Sequence, residues 1–179
     1  MRINIIACGE TGSLWDGEGY SIGVNDCWKF GKPTNGLVVV NSPGKFNRDR
    51  LDVIIRSTPE TFYTHLKGWK LHFPNMKEIR MNNWNGHAKS LRDGRIFHSR
   101  TSPLIAMSIA FNMGAKELIL WGVDFQTHHI YKAGTKNTTG EIRQYETFCK
   151  ALEEKGCKVY AGAEGSGLEF LNILQCSAQ

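Results

Sequence analysis

Asp124 closes the run Gly122-Val123-Asp124-Phe125, and His128-His129 follow within five residues. A carboxylate beside two imidazoles can move a proton, because a histidine in a polar loop titrates near neutral pH. The same three side chains could instead hold a metal ion, although their spacing matches no standard ligand pattern. Further back, Thr101-Ser102-Pro103 places two hydroxyls at the start of an apolar segment. If that segment is a helix, its free N–H groups and dipole favour an anion there. Ser102 taken alone reads better as a plain N-cap. A third group is Cys8-Gly9-Glu10-Thr11-Gly12-Ser13-Leu14. Its glycines would let the backbone approach a phosphate and turn N–H groups toward it. It is neither G-x-G-x-x-G nor a Walker loop. Together these groups suit phosphate binding with proton transfer alongside.

Such groups act together only if the fold brings them to one place. Arg2 to Ala7 reads as a first strand, Tyr20 to Val24 as a second and Gly36 to Val40 as a third. Leu118 to Trp121 is a short continuous apolar run, as expected of a strand covered on both faces. Cys157 to Tyr160 reads as a last strand, and Thr61 to Thr64 as a further candidate. Between the strands, Phe46 to Arg56 is amphipathic, and Leu104 to Met113 has only Ser108 and Asn112 as polar residues. A helix that apolar must be largely buried. Pro103 suits the first helical position and Gly114 the left-handed stop. Thr139 to Lys155 reads as a helix capped by Thr139, and Ser166 to Leu171 as the start of a closing helix. Alternation of strands and helices predicts an α/β, Rossmann-like domain over 1–179, with a mostly parallel central sheet flanked by helices. The strands then end at Gly9, at Asn25, at Asn41-Ser42 and at Asp124, on the edge where open α/β sheets bind ligands. Asn amides both donate and accept, which suits a base, ribose or phosphate.

Residues 65–99 fit this pattern poorly and read as an irregular, partly β insertion. From His65 to Arg100 there are eight Lys or Arg against two acids, in a chain of 179 residues with net charge +5. A basic stretch suits phosphates, including those of a nucleic acid. No apolar run approaches the ~20 residues of a membrane span. The start, Met1 to Ala7, is too short and strand-like for a signal peptide, so a cytoplasmic location is expected. The five cysteines form no C-x-x-C pair, which argues against a disulfide framework and a structural zinc site. Cys8 and Cys157 read as small core residues.

With these motifs in order, the chain resembles the bacterial sialyltransferases of glycosyltransferase family 42. It also resembles the 6-hydroxymethylpterin diphosphokinase-like proteins. The resemblance rests on Cys8–Leu14 after the first strand, Asn25 in G-V-N-D, Asn41 in N-S-P, and Thr101-Ser102-Pro103 through Gly122-Val123-Asp124-Phe125. It implies a nucleotide site, with Gly9, Thr11, Gly12, Ser13, Asn25, Asn41, Ser42, Thr101 and Ser102 as candidate contacts. Asp124 would organise its floor, and His128 or His129 would deprotonate an acceptor. The family's histidine base lies around 134–137, where this chain has none, and Gln126 stands where the sialyltransferases carry a tyrosine. The implied activity is glycosyl transfer from a CMP-type sugar donor to an unspecified acceptor, which could be a nucleic acid held by 65–100. The alternatives are Mg²⁺-dependent diphosphoryl transfer, with Glu10 and Asp124 sharing the ion, and nucleotide binding without turnover.

Overall fold

The computed structural model describes residues 1–81, 96, 101–125 and 136–174, with the backbone alone described at 136–138. Seven strands form one sheet: β1 (Arg2–Ile6), β2 (Ser21–Val24), β3 (Gly36–Val38), β4 (Thr61–Thr64), β5 (Met76–Glu78), β6 (Glu117–Trp121) and β7 (Lys158–Ala161). Their spatial order is β5-β4-β3-β2-β1-β6-β7, and every pairing is parallel. The described helices are α1 (Arg48–Arg56), α2 (Ser102–Asn112) and α3 (Lys136–Glu153). The expected Rossmann-like α/β architecture is therefore present.

A parallel sheet needs cover on both faces, and its strands supply it by side-chain alternation. Ile5 and Ala7 join one core with Leu104 and Met107 of α2 and Phe148 and Leu152 of α3. Ile6, between them, joins the opposite core with Ile54 of α1, Trp15 and Trp69. Leu37-Val38-Val39 and Phe62-Tyr63 alternate in the same way. Helix α2 is buried from Leu104 through Ala110, as its composition requires.

The chain lays β2 to β5 on one side of β1, then returns to place β6 and β7 on the other. The connection after β1 brings Trp15 to one face, while α3, after β6, covers the other. That divergence opens a crevice at the carboxyl ends of the strands.

The structure departs from the sequence reading in four places. The stretch read as an irregular, partly β insertion does carry a strand, and over residues 65–81 it joins the main sheet: β5 pairs with β4 through Phe62 and Met76. Trp69 and Phe73 are core residues, with Phe73 stacked on Phe62 at 3.8 Å. The rest of that stretch lies outside the described residues, except Ile96, which bridges Met81. Helix α3 starts at Lys136, so Thr139 is inside it rather than its cap. No closing helix forms at Ser166; the chain turns at Leu168–Leu171 and Ile173 bridges Ala161. Finally, Thr101 occupies the N-cap of α2 and Ser102 the first helical position, one residue off the expected register. Among the described residues no helix is long and apolar enough to cross a membrane.

Candidate functional site

The ladder between β1 and β6 runs on past both strands. Ala7 N–H donates to Trp121 O at 2.7 Å, and Gly9 N–H to Gly122 O at 2.9 Å. Asp124, 5% exposed, then fastens the two loops together. Its Oδ2 accepts the Thr11 N–H at 2.7 Å, and its Oδ1 accepts the Thr11 hydroxyl. The same hydroxyl accepts the Gly122 N–H at 3.0 Å. Two glycines permit this approach. A Cβ on Gly9 would stand 2.5 Å from Asp124 Oδ2, and one on Gly122 would stand 2.6 Å from Ala7 O. Gly122 also has φ +73°, in the left-handed region.

Beside this clamp lies a cavity of about 380 Å³, open along the carboxyl ends of β1, β2, β3 and β6. That volume falls within the ~300–1,000 Å³ of small-molecule sites. Cys8 and Gly9 line it after β1, and Asn25 after β2. Asn41, Lys45, Phe46 and Arg50 line it between β3 and the first turn of α1. Thr101, Ser102 and Pro103 contribute the start of α2, and residues 122–125 with Tyr145 complete the wall.

Of the expected nucleotide contacts, Gly9, Asn25, Asn41, Thr101 and Ser102 meet at this cavity. Thr11, Gly12, Ser13 and Ser42 are not among its lining residues. Thr11 is bound to Asp124, and Gly12 packs so closely on Phe30 that a Cβ would stand 2.7 Å from its ring. Ser13 is exposed and donates to Glu10 O at 2.7 Å, closing a 3-10 turn over Glu10–Leu14. The β1 loop thus curls back onto β6 after Gly9. Asp124 lines the cavity, but both carboxylate oxygens are engaged by Thr11. His128 and His129 lie outside the described residues.

Asn25 is the most telling side chain here. It sits at φ +49°, a conformation that asparagine tolerates better than most residues. Its Nδ2 donates to Ser102 Oγ at 3.4 Å, while its Oδ1 is buried with no hydrogen-bond partner among the described residues. Thr101 makes no capping bond through its side chain, so a side-chain cap does not occupy the first N–H groups of α2. A helix start and an unsatisfied amide oxygen therefore share one cavity.

The sequence reading did not find Lys45, Arg50, Asp26 or Cys8 as site residues. Arg50 Nε and Nη2 donate to Asp26 Oδ1 at 2.9 and 2.6 Å. Burial raises the Asp26 carboxyl, but the Arg50 hydrogen bonds and charge outweigh it and leave the group below its ordinary value. Burial also pushes the Cys8 thiol well up, and Asp26 pushes it further. Cys8 Sγ donates to Val24 O at 3.2 Å, so it is a neutral thiol and no nucleophile at neutral pH. Asp26 and Arg50 are 24 residues apart, and no local spacing signals their pairing.

The donor set does not fit the Mg²⁺ expected between Glu10 and Asp124. Glu10 is exposed and is not among the cavity's lining residues, and Asp124 is committed to Thr11. Among the described residues, no three His, Cys, Asp or Glu side chains gather as metal ligands.

No family model matches the chain, and no curated protein matches it. Solved structures do share its fold. The sialyltransferase CstII from Campylobacter jejuni, in complex with CMP-3FNeuAc, has a TM-score of 0.57 at 18% identity, covering 96% of this chain and 84% of that one. CstII with a trisaccharide acceptor and CMP has a TM-score of 0.56 at 18% identity, covering 97% and 86%. The monofunctional α-2,3-sialyltransferase Cst-I, also from C. jejuni, has a TM-score of 0.52 at 16% identity, covering 96% and 78%. The likeness is one of fold over nearly the whole of this chain.

Proposed function

We propose that the protein is a glycosyltransferase whose cavity takes a nucleotide-activated sugar of CMP type. The observation that carries this is the pairing of the α2 start with the unpartnered Asn25 Oδ1. N–H groups and a helix dipole suit a phosphate, and an amide oxygen suits a ribose hydroxyl or a base N–H beside it. The donor type rests on the fold neighbours, which were solved with CMP or a CMP-sugar analogue.

In the reaction, the bond between the sugar's anomeric carbon and the nucleotide phosphate breaks, and its electron pair leaves with CMP. The acceptor oxygen bonds to that carbon and gives up its proton. The α2 start stabilises the departing phosphate. We assign the proton to His128 or His129, both outside the described residues. Asp124 acts as a positioning residue, through the loop that it fastens.

A calorimetric and thermal-shift screen against CMP, UMP, GMP, ATP and CMP-sugars tests this reading. Ligand at 100 times its Kd stabilises by about 2.7 kcal/mol, which for this length raises Tm by about 5–10 °C. The expected result is stabilisation by CMP and its sugars, with slow donor hydrolysis. Binding without hydrolysis in wild type, and in variants of both histidines, would make the protein a nucleotide-binding protein rather than an enzyme. ATP turnover to AMP with Mg²⁺ would replace the reading with diphosphoryl transfer. No nucleotide binding would refute it. An oligonucleotide acceptor predicts DNA or RNA affinity that falls steeply with salt, and no such affinity would remove that acceptor class.

A further inference from the structure

The cavity wall facing α2 carries two cations that the proposed chemistry does not use. Lys45 and Arg50 both line it. They come from the opposite face of the sheet: α1 packs its Ile54 in the core with Phe46 and Trp69, whereas α2 packs in the other core. The Arg50 guanidinium is held in place from two sides. Its Nε and Nη2 bind Asp26 Oδ1, and it lies over the Phe46 ring at 5.2 Å from the centroid. The Nη1 donors remain outside that ion pair. Lys45 is exposed and makes no ion pair among the described residues. The third charged side chain of the lining, Asp124, stands apart from this wall at the end of β6, where both of its oxygens bond to Thr11. Asp26 balances Arg50, so Lys45 leaves the wall with a surplus positive charge.

Each wall therefore favours an anion, and a nucleoside monophosphate has one phosphate to offer. An Arg50 that only held Asp26 would explain the ion pair. It would not explain a second cation on the same wall.

We propose that Lys45 and Arg50 form a second anion subsite, which takes a carboxylate or phosphate of the substrate other than the nucleotide's own phosphate. This rests on the nucleotide reading for the first wall. A planar guanidinium offers paired donors to an oxyanion, and the lysine adds a mobile point charge. The anion has two chemical sources: a carboxylate on the donor sugar, or a phosphate on the acceptor.

Calorimetry on the full chain separates them with three probes: CMP, CMP-3FNeuAc, and inorganic phosphate added to CMP-saturated protein. CMP-3FNeuAc binding ~10-fold tighter than CMP assigns the subsite to a donor carboxylate. Phosphate binding to the CMP complex assigns it to an acceptor phosphate. In either case Lys45→Glu removes that gain, shifts CMP affinity less than ~3-fold, and leaves Tm within about 1–2 °C, as an exposed substitution should. Lys45→Arg retains the gain. No gain from either probe, or a gain indifferent to Lys45→Glu, overturns the proposal. If CMP itself does not bind, the nucleotide reading fails separately. The subsite is then judged by inorganic phosphate alone: binding lost in Lys45→Glu sustains it, and any other result overturns it.

Discussion

Replacing Asp124 separates two roles that a carboxylate at a strand end can have. If it fastens the β1 and β6 loops, Asp124→Asn should unfold more easily. The asparagine keeps one acceptor oxygen, which can still take the Thr11 N–H at the present 2.7 Å. Its amide nitrogen then faces the Thr11 hydroxyl, which already accepts from Gly122 N–H at 3.0 Å. The hydroxyl hydrogen loses its acceptor. One charge-assisted hydrogen bond in a buried setting is worth about 1.5–3 kcal/mol, so Tm should fall by about 3–12 °C for a chain of this length. Thr11→Val removes the same bond from the other side, and the double variant should show a coupling of about 0.5–3 kcal/mol in urea unfolding. Gly9→Ala should also destabilise, because its Cβ would stand 2.5 Å from Asp124 Oδ2. Donor hydrolysis, measured well below each Tm, completes the test. A general base contributes about 10²–10⁴ to the rate. If Asp124→Asn kept the wild-type Tm and urea midpoint yet lost turnover by ~100-fold or more, the carboxylate would be a base and the clamp argument would be wrong.

Two further predictions concern the wall next to it. Arg50→Gln leaves Asp26, 6% exposed at its side chain, without its cation, and should cost about 1–3 kcal/mol at pH 7 after allowing for the partial exposure of Arg50. The folded Asp26 carboxyl is depressed, so its contribution is present above the unfolded value and is lost as pH falls through the folded one. The stability gap between wild type and Arg50→Gln, read by urea unfolding, should therefore be full at pH 6–7 and shrink below about pH 4; a gap unchanged down to pH 2 would contradict the pairing. The second prediction is that alkylation of Cys8 is slow at pH 7, accelerates only in alkaline buffer, and is blocked by CMP. Mass spectrometry of a Cys176→Ser variant checks it. Cys27 and Cys149, pushed up to about 12, and Cys157, pushed up to about 11, should remain unmodified at pH 8. Rapid labelling of Cys8 at neutral pH, or labelling indifferent to CMP, would count against its place in the cavity.

The parts of the fold that were legible in the sequence are those where burial dictates composition. Ile5 to Ala7, Leu37 to Val39 and Leu118 to Leu120 are covered on both faces and run apolar without a break. Helix α2 is buried nearly all round and reads as such. Strand β5 was not legible, because Met76 is half-buried and Lys77 and Glu78 are exposed; its pairing is backbone bonding at the sheet edge. No local period marks Trp69 and Phe73 as core residues, since what makes them so is Phe62, reached through the fold. The closing segment failed for a related reason. Leu168 and Leu171 are buried at helical spacing, yet Gly167 N–H bonds to Val123 O and Ile173 bridges Ala161, so the segment is held by the sheet edge rather than wound into a helix.

The same physics divides the site. In a parallel sheet, topology alone decides which edge receives the loops, so Asn25, Asn41, Thr101 and Ser102 could be placed at one cavity from strand ends and a helix start. Which polar groups would face that cavity, and which would satisfy one another, is a tertiary matter. Thr11 and Asp124 are 113 residues apart, and their mutual bonds take the hydroxyl, the loop N–H and the carboxylate out of the ligand's reach together. Across the other wall Asp26 takes up Arg50 Nε and Nη2 but leaves the Nη1 donors outside the pair. Asn25 is left with a buried oxygen that no donor among the described residues meets. A buried acceptor costs about 1–3 kcal/mol when unmet, so a ligand that supplies the donor recovers that energy only in the bound state. The most informative group for binding is thus the one that the fold leaves unsatisfied.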